Sequence, residues 1–254
     1  MRSIWNGAIS FGLVSIPIKL LPATNPRALS FQLLHDTDNA RILYKKVCSK
    51  DGQEVPPQEI ARGIEVRKGV YYKLSEEELK KLRPEKTNSI DIIEFVDSPQ
   101  VDSIYFSNHY FAVPDMEKEK AYFLFKEVLQ ITGKIAIGKF VLRSKEYVCS
   151  IKAYKEGLLL STLNYAYEIR DIGEVVELKS VPKLIPEEID LAEQLIDRIY
   201  KKEFDITKFK DSFAEDVKEI VKKKEAGEEV IVAEQEKVFK EEDIIKALKA
   251  SLKN

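Results

Sequence analysis

Arg2-Ser3-Ile4-Trp5-Asn6-Gly7-Ala8-Ile9-Ser10-Phe11-Gly12-Leu13-Val14-Ser15-Ile16-Pro17-Ile18-Lys19-Leu20 is the stretch whose reading decides the fold. Ile9, Phe11 and Leu13 alternate with Ser10 and Gly12, and Ile16, Ile18 and Leu20 resume the alternation out of phase. A period of two with one apolar face is the pattern of a half-buried β-strand. The phase slip predicts a bulge near Val14-Ser15. Pro17 has no N–H to give to a ladder and argues for an edge or an irregular pairing. The stretch reads as the first strand of a β-barrel.

The whole chain has 254 residues, which allows one β domain with an appendage or two small domains. Two cysteines, Cys48 and Cys149, have neither metal spacing nor a disulfide framework, so a reduced, intracellular compartment is expected. Asn6, Ser10, Pro17 and Lys19 interrupt the apolar N-terminus too often for a signal peptide, and no apolar run is long enough to span a bilayer. A cytoplasmic protein is the expectation. The formal net charge is −2, but residues 1–165 carry 24 Lys and Arg against 20 Asp and Glu, whereas 166–254 carry 17 against 23. A polyanion-binding role therefore requires the cations of the first part to gather on one surface.

Strand patterns continue at Trp5–Leu21, Ser30–His35, Ala40–Cys48, Gly63–Leu74, Ser89–Val96 and Ile104–Pro114, with turn chemistry at Lys50-Asp51-Gly52 and Lys68-Gly69. Ser75 and Glu78 form a capping-box pattern for a short helix ending before Pro84. Glu117–Thr132 reads as a helix with the stripe Ala121, Leu124, Phe125, Val128 and Leu129, closed by Gly133. Strands return at Lys134–Arg143, Glu146–Tyr154 and Leu158–Tyr165, with Gly157 at the last turn. Beyond Pro182 the period becomes helical. Pro186 opens a helix with the stripe Ile189, Ala192, Leu195, Ile196 and Ile199. A second helix carries Ile206, Phe209, Phe213, Val217 and Ile220, and Lys222-Lys223-Lys224 near its end complement its dipole. A charged linker over 228–240 and a small helix over Glu241–Leu252 complete the chain.

Gly133-Lys134-Ile135-Ala136-Ile137-Gly138-Lys139-Phe140 satisfies G-x-x-x-x-G-K, but Phe140 stands where a phosphate loop needs Ser or Thr, and the interior reads as strand. His35 and His109 are the only histidines, and no H-x-x-x-H, G-x-S-x-G or C-x-x-C occurs. Glu76-Glu77-Glu78 suits a helix N-terminus. Asp91 with Glu94 is the pair a metal-dependent nuclease would use, and this is the enzymatic alternative. What remains is basic: Arg41, Lys45 and Lys46; Arg62, Arg67, Lys68 and Lys73; Lys134, Lys139, Arg143 and Lys145. Lys and Arg in this pattern suit a cradle that meets phosphates without reading bases.

The opening W-x-G-x-I-S-F-G-L-V-x-I-P-x-K-L resembles that of prokaryotic Ku, the DNA-end-binding family of non-homologous end joining. Ser30–His35, Arg41–Cys48, Leu82–Glu85, Ile90–Ile92, Asp102–Phe106, Thr132–Arg143 and Ala192–Asp197 are similar to strings of that family in the same order, covering residues 1 to about 225. The resemblance implies a mainly β fold with α: a Ku-type β-barrel core with an extended bridge, one packed helix and a helical C-terminal arm. It implies a homodimer closing a ring around duplex DNA, with no cofactor and no metal, and the multifunctional ATP-dependent end-joining ligase as partner. Lys246–Leu252 is similar to the family's short C-terminal segment, so Ile244, Ile245, Leu248 and Leu252 are the expected ligase-recruiting residues. The long Lys-rich tail of many bacterial members has no counterpart before Asn254.

The expected organisation is a barrel with bridge over 1–180, a helical arm over 181–227, and a linker with a short helix over 228–254. The expected function is sequence-independent, non-enzymatic binding of double-stranded DNA ends by a nucleoid-associated cytoplasmic protein, which protects and bridges the ends. The expected contacts are Arg41, Lys45, Lys46, Arg62, Arg67, Lys73, Lys134, Lys139, Arg143 and Lys145. Besides the nuclease, the other alternative is a protein-interaction scaffold that does not bind DNA.

Overall fold

The computed structural model describes residues 1–25, 29–82, 88–115, 119–180 and 182–227. The opening stretch forms two strands, β1 (Trp5–Phe11) and β2 (Val14–Pro22), and not one bulged strand. Gly12 and Leu13 make a two-residue turn, with Gly12 at φ +57°. Only glycine reaches that first turn position without strain. The phase slip in the sequence is this reversal: Ile9 lies opposite Ile16, Gly7 opposite Ile18 and Trp5 opposite Leu20, so both apolar sets face one side. Pro17 lies in an interior strand, which corrects the edge expectation in part. Its carbonyl accepts from the Asp115 N–H at 3.1 Å, where the neighbouring ladder ends, so the missing donor costs only a terminal bond.

Five more strands complete the barrel: β5 (Ser89–Asp97), β6 (Phe106–Pro114), β7 (Lys134–Leu142), β8 (Lys145–Tyr154) and β9 (Gly157–Leu163). The order is β1-β2-β6-β9-β8-β7-β5, closed by a parallel pairing of β5 with β1. All other neighbours are antiparallel. Alternate residues fill the interior, including Ile9, Ile18, Leu20, Ile90, Phe140, Cys149, Ile151 and Leu160. The β8–β9 turn is Lys155-Glu156, one step before Gly157. Gly157 is small because a Cβ there would sit 3.2 Å from the Tyr122 hydroxyl.

Helix α2 (Glu119–Thr132) packs on this barrel through Tyr122, Phe125 and Leu129, which join its core. The expected stripe is therefore rotated: Leu124 and Val128 are exposed, and Tyr122 is buried. The reason is the Tyr122 hydroxyl. It donates to the Ala112 carbonyl at 2.7 Å and accepts from the Leu158 N–H at 3.0 Å, a pair of buried partners no aliphatic residue could serve.

Between β2 and β5 the chain leaves the barrel and returns to it at the same rim. This excursion holds the hairpin β3 (Arg62–Arg67) and β4 (Val70–Leu74), and α1 (Glu76–Leu82). The Glu78 N–H donates to the Ser75 hydroxyl at 3.2 Å, which with the Ser75 N–H closes the capping box, and the Ser75 hydroxyl and N–H both donate to the Glu78 carboxylate, at 2.7 and 2.8 Å. These bonds hold the Glu78 carboxyl below its usual range. Three strand expectations change here. Ser30–His35 and Ala40–Cys48 carry only isolated bridges, Leu34 to Arg41 and Val47 to Glu54, and Gly63–Leu74 is a hairpin turning at Lys68-Gly69. The pattern is β-like, but this segment has no core to pack on. No described residue between 31 and 79 is buried.

By its contacts the chain divides into Met1–Arg27 with Phe31–Arg170, and Ala28–Ser30 with Asp171–Asn254. The second unit holds α3 (Pro186–Ile199) and α4 (Ser212–Glu225). Ile206–Lys208 is a separate single turn, not the start of α4. Asp211 caps α4 by accepting from the Ala214 N–H at 3.0 Å and so restarts the helix there. Ile189, Ile196, Ile199, Phe209 and Phe213 are exposed. The expected linker, the helix over 241–252 and Ile244, Ile245, Leu248 and Leu252 lie outside the described residues. Among the described residues no helix is long and apolar enough to cross a membrane.

Candidate nucleic-acid interface

Six of the ten expected contacts lie on the excursion. Arg41, Lys45, Lys46, Arg62, Arg67 and Lys73 are all exposed. Arg41 donates to Gln32 at 2.8 Å, Lys45 pairs with Glu54 at 2.6 Å, and Arg62 stands 3.9 Å from Glu76. Among the described residues Lys46, Arg67 and Lys73 have no acidic partner. Exposed pairs of this kind are worth about 0–1 kcal/mol, so breaking the Lys45 and Arg62 pairs would cost little.

The remaining four lie on the barrel and are not gathered together. Strand register puts Arg143 and Lys145 at the rim from which the excursion departs, next to the β7–β8 turn. Lys134 starts β7 at the opposite rim, where it pairs with Asp97 at 3.0 Å. A nine-residue strand separates the two rims by roughly 30 Å. Lys139 projects from the outer wall between them. It pairs with Glu146 at 3.2 Å and lies opposite Asp91 in the ladder.

Aromatic side chains accompany the cations at the excursion rim. Lys145 sits 5.1 Å from the centre of the Tyr147 ring. Burial raises the Tyr110 hydroxyl pKa and Tyr147 adds to the rise, while the Arg143 charge opposes it. Burial likewise raises Tyr165, with Glu146 adding to it. These phenols are neutral hydrogen-bonding groups at any physiological pH. Arg2 shares a rim pocket with Arg143. Sequence reasoning missed it, because only barrel closure brings residue 2 next to residue 143.

The other sequence leads resolve structurally. In the G-x-x-x-x-G-K stretch, Gly133 takes φ +65° after α2, and Lys134–Leu142 is a strand paired on both sides, so its amides are committed to ladders. Asp91 and Glu94 flank a bulge in β5, and the Asp91 carboxylate accepts from the Ser89 hydroxyl. Among the described residues no three His, Cys, Asp or Glu side chains gather as a metal site requires. His35 pairs with Asp38 at 2.9 Å on the surface, and His109 contacts the Ser161 hydroxyl at 2.8 Å. Burial pushes the Cys149 thiol up to about 12, leaving it inert, and Cys48 is partly buried.

A closed barrel interrupted by a long basic excursion at one rim defines a class, and comparison with known proteins identifies it. The Ku70/Ku80 beta-barrel domain model matches residues 10–191. The chain is 38% identical to the "Non-homologous end joining protein Ku" of Archaeoglobus fulgidus over 252 residues, covering 99% of this chain and 98% of that protein. It is 38% identical to the protein of that name from Heliobacterium modesticaldum, covering 99% and 91%, and 34% identical to that of Bacillus subtilis, covering 99% and 82%. The chain belongs to the Ku family.

Proposed function

We propose that this protein binds the ends of double-stranded DNA without regard to sequence, as a homodimeric ring, in non-homologous end joining. Its relatives carry that process in their names. The observation that carries the reading is the excursion between β2 and β5. It leaves and rejoins the barrel at one rim, buries none of its described residues over 31–79, and displays Lys46, Arg67 and Lys73, which have no acidic partner among the described residues. Such a segment gains nothing from its own barrel and needs outside contacts. Its cations suit phosphates. Its exposed Leu43, Tyr44, Ile64 and Tyr71 suit a second copy of the chain.

Two such excursions from a two-fold dimer would enclose a duplex, every cation being presented twice. A closed ring loads only from a free terminus, so it selects ends by topology and needs no base contacts and no catalysis. The ring protects and bridges the ends. The helical segment 181–227 packs the dimer, and Ile244, Ile245, Leu248 and Leu252 recruit the ATP-dependent end-joining ligase in the cytoplasm, at the nucleoid.

The test compares linear duplex with covalently closed circles of the same sequence at matched salt. Linear DNA is expected to be retained and circles to be bound far more weakly. Equal affinity for the two would remove the claim of end selection.

A further inference from the structure

We propose that Arg2 and Arg143 together form a phosphate-accepting pocket at the root of the excursion. This inference rests on the DNA-binding reading and sharpens it. The pocket has a volume of about 600 Å³, and Thr24 and Asn25 add neutral polar groups to the two guanidinium-bearing residues. That volume suits a sugar-phosphate unit of a nucleic acid, within the roughly 300–1,000 Å³ range of small-ligand sites. No acidic side chain lines it, and among the described residues neither arginine has an ion-pair partner. Arg2 and Arg143 line the same concavity, so an oxyanion bound there can accept from both guanidiniums.

The backbone on both sides of the pocket is fixed. The Ile4 N–H donates to the Leu20 carbonyl at 3.0 Å, the Ser3 hydroxyl bonds back to the Trp5 carbonyl at 3.1 Å, and the Trp5 indole donates to the Val141 carbonyl at 3.1 Å. These bonds fix residues 3–5, next to Arg2, beside β2 and the end of β7. Arg143 is fixed by the β7–β8 turn.

That turn is the second, independent observation. Leu142 pairs with Lys145, so Arg143 and Ser144 alone form the loop, and both have positive φ, +52° and +69°. A two-residue turn of this kind is best made by Asn-Gly, and an arginine there is strained. The chain keeps a guanidinium where turn geometry alone selects Asn or Gly. Strained backbone of this kind concentrates where a side chain is needed for binding.

The experiment measures binding of blunt linear duplex by fluorescence anisotropy over a range of KCl concentrations. Duplexes carry either 5′-phosphate or 5′-hydroxyl ends. The proteins are the full chain and its variants Arg2→Gln, Arg143→Asn, the double variant, and Lys155→Gln as a charge control at the opposite rim. Each lost phosphate contact lowers the slope of log affinity against log salt by about 0.9. Each single arginine variant is expected to show a shallower slope, and Lys155→Gln an unchanged one. Arg143→Asn is expected to melt at or above the wild-type temperature, because asparagine tolerates positive φ, which separates lost binding from lost folding.

A fall with both duplexes assigns the pocket to a backbone phosphodiester. A fall confined to the 5′-phosphorylated duplex assigns it to the terminal phosphate. Wild-type slopes in the arginine variants, or an equal fall in Lys155→Gln, would overturn the pocket while leaving DNA binding intact. If the wild-type chain binds neither duplex, the DNA-binding reading itself fails.

Discussion

At the residue scale, Tyr122 shows how one polar atom sets the packing of an element. Its hydroxyl is bonded to the Ala112 carbonyl and the Leu158 N–H, and so ties α2 to β6 and β9. Burial raises its pKa, consistent with a phenol that stays protonated. Tyr122→Phe preserves the ring but leaves the buried Leu158 N–H without its acceptor, a loss of about 1–3 kcal/mol. Urea unfolding is expected to show a lower midpoint at unchanged m-value. A midpoint equal to wild type would mean that the hydroxyl does not hold α2. A helical stripe can be read on more than one rotation, and Ala121-Leu124-Phe125-Val128-Leu129 was as apolar as the face actually used. The hydroxyl's need for partners decided between them, and no periodicity encodes it.

At the element scale, α2 has two apolar faces and only one is buried. Phe125 stacks on Phe11 at 5.2 Å and contacts Phe95 edge-on at 6.4 Å, whereas Leu124 is 64% exposed. Phe125→Ala is expected to cost about 3–5 kcal/mol. Leu124→Ala should fall within about 0.5 kcal/mol of wild type. Thermal and chemical unfolding of the two variants in parallel checks the assignment, and equal losses would contradict it. The opening hairpin teaches the same lesson. Its alternation was legible as strand, but a phase slip fits either a bulge or a reversal. The reversal holds because Gly12 supplies positive φ and because two strands, not one, are needed to enclose the barrel interior. The opposite error occurs over Ser30–Cys48, where alternation without a core gives only isolated bridges.

At the scale of the whole molecule, the single chain leaves much apolar surface uncovered. Phe31, Leu43, Tyr44 and Tyr71 on the excursion and Phe204, Phe209 and Phe213 in the second unit are all more than half exposed. A two-stranded hairpin such as β3–β4 is at best marginally stable without a surface to lie on. The homodimer proposed above would supply that surface and couple folding to association. Unfolding temperature is therefore expected to rise with protein concentration, each tenfold increase adding about 1.4 kcal/mol to the dimer's stability. Scanning calorimetry over a hundredfold concentration range, with sedimentation to count the subunits, measures this. A concentration-independent transition of a monomer would defeat the dimer.

By itself the sequence determined which stretches of the barrel are β, the capping box at Ser75, α2 and α3, and the exclusion of a phosphate loop at Gly133–Phe140. Each is a local consequence of side-chain period or of a residue's own backbone preference. Its family strings also point to Ku. Which cations work together was decided only by the tertiary structure. Lys134 begins β7 and Arg143 stands just past its end, so the strand's length carries them to opposite rims, while Arg2 and Arg143 are far apart in sequence and meet in one pocket. Charge acts through distance in space, and in a closed barrel that distance is set by register and closure, to which nearest-neighbour sequence is blind.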